Sequence, residues 1–335
     1  MTKLARKIVL PLALATALFA CDKGKSGGGS GGGATGTAGA SAIAPAQGGI
    51  KRALAAMPKE TDIVIGIDFQ SMRKSAVFKK YEPMIMEKAG KGLDEFKTKC
   101  GFDPMEKLTG VIMGMQPSMG GGLEAATIFV RGFEKGPAID CIKKAAAEKA
   151  AEGKTANIDG DYIEFLENGE PKFRTLFIDD STALIVMTGE DQFADKAALQ
   201  AAAAAKEGDG LTSSQAFVKL LDEVKTGSSL FMVMNGNAKF MQQNPLPFKI
   251  KAVFGWLNVA SGVDGESRIR MEDADAASAM VGFYKMGTEE LKKTPAGKFL
   301  DSVKVSSKGA DVVASFKFDQ KQIDEMIEMA KSSPF

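Results

Sequence analysis

Ser71 and Lys74 stand three residues apart just after a β-branched run. On the first turn of a helix this spacing sets an amine beside a hydroxyl, which could make the serine a nucleophile. Lys225-Thr226-Gly227 could line such a site from a strand. A second cluster, Met113, Met115 and Met119, offers thioethers of the kind that suit Cu(I), and Met113 and Met115 would share one strand face. Asp159 and Asp161 are close enough to open a calcium loop. The chain contains no histidine, so Ser/His/Asp and Cys/His catalysis are excluded and most zinc sites lose their usual ligand.

Each lead has a plainer reading. Ser71-x-x-Lys74 with Lys225-Thr226-Gly227 resembles the S-x-x-K and K-T-G elements of penicillin-binding proteins and serine β-lactamases, but the S-x-N element between them is missing. Ser71 is equally a helix cap accepting a backbone N–H, with Lys74 solvated. Val111, Met113 and Met115 would form an ordinary core face, since methionine fills irregular gaps. Met119, with Gly120 to Gly122, belongs to the loop that follows, where an exposed apolar side chain is a candidate partner contact. Asp159-Gly160 suits a type I′ hairpin, and the remaining EF-hand ligands are absent. No catalytic residue, metal or cofactor is assigned, and the sequence reads as a non-enzyme.

The N-terminus gives an address. Lys3, Arg6 and Lys7 precede the apolar run Ile8 to Ala20, the order of a secretory signal. The run is shorter than the roughly 20 residues a membrane-spanning helix needs. Leu18-Phe19-Ala20-Cys21 resembles a bacterial lipobox, which implies cleavage after residue 20 and acylation of Cys21; an ordinary signal with an incidental cysteine is the alternative. Asp22 resembles the residue that retains some lipoproteins at the inner membrane, a rule that differs between bacterial groups, so inner and outer membrane both stay open. Residues 21–49 then read as the acylated cysteine and a Gly/Ser/Ala tether that cannot bury enough apolar surface to fold. Its span would be about 30 Å.

The formal net charge is +1, with acidic and basic residues interspersed, which leaves no basic field for nucleic acid. Cys100 and Cys141 remain in a chain expected to face an oxidising compartment. A disulfide is the economical reading, and two buried thiols the rival one.

The elements that would position these residues follow from periodicity. Thr61 to Phe69 reads as a strand, followed by a helix from Gln70-Ser71 that Pro83 should kink or interrupt, with a second piece from Gly92 to Cys100. Strands are expected at Leu108–Met115 and Leu123–Arg131, a helix at Ala138–Ala151, hairpins around Asp159-Gly160 and Asn168-Gly169, and a helix near Asp191–Lys206. The second part repeats this order: a helix at Ser213–Val224, strands at Ser228–Met234, Lys251–Val259 and Glu266–Met271, helices from Ala274 and Pro295, a hairpin, and a last helix from Gln320. Residues 50–206 and 211–335 are therefore expected to be two similar α+β halves, mainly antiparallel sheet with helices packed on one face, from an internal duplication.

The lipobox, the tether, the segment MPKETDIVIGIDFQSMRKSAVFKKY, the phrase KCGFDP around Cys100 and the C-terminal hairpin with its helix together resemble bacterial lipoproteins of the myxobacterial type. That resemblance implies a localisation and a fold class, and no activity. The expectation is a membrane-anchored envelope lipoprotein facing the periplasm or cell surface. It would act as a non-enzymatic binding or structural module for an envelope protein, a lipid or a cell-wall partner. A carrier of lipid or another hydrophobic ligand in an internal cavity is the second expectation, and a serine acyl-enzyme the third.

Overall fold

The computed structural model describes residues 47–117, 123–187, 195–236, 238 and 249–332. The expected signal, Cys21, nearly all of the tether, and Met119 with Gly120 to Gly122 lie outside the described residues.

Helix α1 (Gln47–Ala56) leads into β1 (Ile63–Asp68), α2 (Phe69–Lys74), α3 (Ala76–Cys100), α4 (Pro104–Lys107), β2 (Gly110–Pro117), β3 (Leu123–Arg131) and α5 (Lys135–Lys149). Four strands follow, β4 (Lys154–Asp159), β5 (Tyr162–Glu167), β6 (Glu170–Asp179) and β7 (Thr182–Met187), then α6 (Lys196–Ala203). The second part runs α7 (Gln215–Asp222), β8 (Leu230–Asn235), β9 (Ile250–Val259), β10 (Gly262–Met271), α8 (Ala274–Leu291), a 3₁₀ stretch (Pro295–Ser302), β11 (Val303–Lys308), β12 (Asp311–Asp319) and α9 (Gln320–Ser332).

The described strands form one sheet in the order β11-β12-β10-β9-β8-β1-β2-β3-β7-β6-β5-β4, and every neighbouring pair is antiparallel. The expected halves meet edge to edge where β1 pairs with β8, Ile63 opposite Met234 and Ile67 opposite Leu230. On either side of that seam the order repeats: a three-stranded meander, a helix, then a hairpin run whose last strand pairs with the meander's third. Closing each half this way buries the edge of its meander.

Period-two alternation assigns the two faces. Val64 joins Leu54 and Met57 of α1, Ile112, Phe129, Phe231, Val233 and Phe254 in one cluster, while Ile63, Ile65 and Ile67 face Val111, Met113 and Met115 on the other side. Helix α5 packs beside Ile163, Phe177 and Ala183, and α8 packs over Met271 and Val312. As expected, the crossover helices α5 and α8 lie on one face; the opposite face is covered at its middle by α1, α6 and α7. Leu54, Met57, Phe231 and Phe254 are no more than 2% exposed, and each such side chain contributes about 1.5–3 kcal/mol.

Local signals explain the boundaries. Asp68 caps α2 by accepting from Ser71 N at 2.9 Å, so Ser71 is not the cap. Ser75 caps α3 through Phe78 N at 3.0 Å. Gly101, at φ 75°, ends α3 in the left-handed conformation a Cβ disfavours. The two helical pieces expected around Pro83 are one helix. Lys79 and Pro83 are both exposed, so water can serve the Lys79 carbonyl that proline leaves without a donor. The hairpin turns also differ from expectation. Asn168 and Gly169 both have positive φ, as type I′ demands, whereas in the Gly160-Asp161 loop only Gly160 does, the type II′ pattern.

Candidate functional site

A concavity lies at one end of the central strands, on the α1 side of the sheet. Its volume is about 290 Å³. The end of β1 supplies Gly66 and Asp68, β2 begins at Gly110, β3 ends at Arg131, the β6–β7 turn supplies Asp179, Ser181 and Thr182, and the loop before β8 supplies Thr226 and Ser228. Gly49 and Arg52 of α1 close one side, and Ile112, Phe129 and Phe231 make an apolar floor.

Backbone bonds hold this rim. Asp68 N donates to Ser229 O at 2.9 Å, Gln70 N to Thr109 O at 3.2 Å, Thr109 N to Arg131 O at 2.8 Å and Gly132 N to Ser181 O at 2.8 Å. Gly132 has φ 113°, and a Cβ there would lie 2.0 Å from Lys107 O, so no larger residue could take this corner. From behind, the Arg73 guanidinium donates to the carbonyls of Met105 and Leu108. Burial pulls its pKa down, against Asp103 and Asp68, which raise it.

Four charged side chains reach the cleft: Arg52, Arg131, Asp68 and Asp179. Both carboxylates serve the backbone. Asp68 accepts from Ser71 N, and Asp179 accepts from Ser181 N at 3.0 Å and Ser181 Oγ at 3.4 Å. Burial alone would raise the Asp179 pKa, but hydrogen bonds from Ser181 and Thr182, with the charge of Arg52, outweigh it and hold the group below the usual carboxylate value. Neither arginine has a hydrogen-bond or ion-pair partner among the described residues. Such a site can hold a small molecule with one polar and one apolar end.

Apart from Thr226, which lines the cleft, the residues singled out by spacing are placed elsewhere. The Ser71 hydroxyl lies 3.3 Å from Ser229 Oγ, which accepts from Val259 N at 3.0 Å. Lys74 is exposed. Lys225 sits in the loop before β8, its ammonium 3.8 Å from the centre of the Trp256 ring, so neither lysine bonds to Ser71. Met113 and Met115 are buried beside Phe69, Val111, Ala126 and Val130. Asp159 pairs with Lys196 and Asp161 with Lys135. Cys100, the last residue of α3, and Cys141 of α5 are brought together as a disulfide with Cα atoms 4.5 Å apart. Among the described residues no cluster of three or more His, Cys, Asp or Glu side chains could hold a metal, and no helix is long and apolar enough to cross a membrane.

Motif spacing missed the cleft because its charged residues come from four elements that only the sheet order assembles. The available signals were single residues: Arg131 directly after the apolar run Ile128-Phe129-Val130, and Gly66 inside IVIGID.

No protein-family model and no curated protein matches the chain. Among solved structures, crystal forms III and I of TP0453 resemble it with a TM-score of 0.48 each, at 10% and 9% identity, over 82% of this chain and 97% and 96% of theirs.

Proposed function

We propose that this chain is an envelope lipoprotein, anchored through Cys21 and displayed on the Gly/Ser/Ala tether that leads into α1. In this reading its folded body binds a small amphipathic, lipid-class ligand in the cleft without converting it. One observation carries the reading: about 290 Å³ of recessed space with an apolar floor and a charged rim, close to the lower end of the roughly 300–1,000 Å³ typical of small-molecule sites. The interior between α1 and the sheet is filled by Leu54, Met57, Phe231 and Phe254, so a ligand wholly enclosed there has no room. The repeated strand order across the β1–β8 seam supports descent from a duplicated half, with the cleft formed where the halves join.

Native mass spectrometry of the full chain, extracted from bacterial membranes in mild detergent, tests the binding. A bound amphiphile that is lost when Thr226→Trp crowds the cleft mouth supports the reading; a bare protein, or an adduct indifferent to that substitution, removes it. Fractionation tests the anchor separately, because Cys21→Ser should move the protein out of the membrane fraction.

A further inference from the structure

We propose that the ligand of the cleft carries an anionic end, a carboxylate or phosphate, received by Arg131 with Arg52 at the mouth. This rests on the cleft being a binding site and adds the charge and the residues that read it.

Arg131 is the last residue of β3 and follows Val130 in the alternation, so it projects to the same side as Phe129, over the floor of the cleft. It is half-buried, and its guanidinium has no hydrogen-bond or ion-pair partner among the described residues. A guanidinium withdrawn from water is costly unless an anion meets it. The two carboxylates nearby are poor candidates for that role: Asp68 is engaged by Ser71 N, and Asp179 by Ser181 and the charge of Arg52.

The neighbour of Arg131 sharpens the point. Its Nη1 lies 3.0 Å from where a Cβ on Gly49 of α1 would stand. Glycine permits this close approach of the guanidinium to the helix. A planar fork of donors suits a carboxylate or phosphate, while the rings of Phe129 and Phe231 suit an attached hydrocarbon. The adjoining tether cannot supply the charge locally, since its only acidic residue is Asp22, at the far end.

Isothermal titration of the detergent-solubilised full chain with butyl phosphate, inorganic phosphate and butanol tests this. Butyl phosphate should bind, Arg131→Gln should weaken it about tenfold or more, and Arg52→Gln less, each variant keeping the parent circular dichroism and melting temperature. Butanol should bind far more weakly. Inorganic phosphate binding as tightly as butyl phosphate would keep the anion site and make a free anion its ligand, against the amphipathic reading. Butanol binding as tightly as butyl phosphate, or butyl phosphate binding untouched by either substitution, overturns the inference and leaves the cleft reading standing. Failure of all three probes to bind sinks both.

Discussion

The guanidinium of Arg270 in β10 makes a two-pronged pair with Asp311 of the adjacent strand β12, Nε to Oδ1 at 2.8 Å and Nη2 to Oδ2 at 2.9 Å. Its remaining edge meets Glu223, just past α7, at 3.0 and 2.7 Å. Asp311 is buried. Arg270→Met should therefore cost about 2 kcal/mol in urea denaturation by leaving a carboxylate without its donors, and adding Asp311→Leu should recover much of that loss. Glu223→Gln, at the more exposed end, should cost less than about 1 kcal/mol.

Gly66 and Phe231 face each other across the β1–β8 seam. A Cβ on Gly66 would fall 2.0 Å from Phe231 Cε1, so the glycine exists to admit the ring. Gly66→Ala should lower stability by about 1–3 kcal/mol through overpacking. Phe231→Leu introduced with it should restore part of the loss, a non-additivity that a double-mutant cycle in denaturant reads directly.

These two relationships show what the sequence could reveal. The strand Leu123–Arg131 was legible to the residue because a mainly apolar and β-branched run ends at Gly132, and Met113 and Met115 were legible as core from their spacing alone. Nothing local explains the glycine at position 66 inside a strand, because the ring that fills its place comes from 165 positions along the chain. Ser71 was misassigned for a local reason: a helix start was read, but the cap is the aspartate three residues earlier, whose carboxylate accepts from the Ser71 N–H itself. Arg131 and Arg52 carried no local sign of a shared cleft, because sheet order is a long-range property that no short motif encodes.

The geometry of Cys100 and Cys141 predicts a bridge that reduction will expose. They are 41 residues apart in sequence, a loop whose closure contributes about 4 kcal/mol in the chain-entropy model. The protein purified without reductant should carry no free thiol at either position, and a reducing agent or the pair Cys100→Ser with Cys141→Ser should lower the denaturation midpoint alike. Intact thiols in the unreduced protein, or a midpoint indifferent to reduction, would rule the bridge out.

The last prediction concerns pH. Asp324 of α9 accepts from Lys80 at 2.6 Å, from the Tyr81 hydroxyl and from Gln320 at 2.8 Å, tying α9 to α3. Led by the bond from Lys80, these contacts bring its pKa down to about 2. A carboxylate held below its unfolded value of about 3.9 adds stability above that value and loses it as pH falls toward 2. Tyr81 works at the other limb. Burial, followed by its bond to Asp324, raises its pKa to about 12, so its contribution is complete below the unfolded value of about 10 and disappears as pH rises toward 12. Of the three tyrosines, Tyr81 should ionise last in an ultraviolet titration. Asp324→Asn should bring that ionisation to lower pH and flatten the acid limb of the stability curve together. If the substitution moved one limb and left the other in place, the carboxylate and the phenol would not be acting through the same contact.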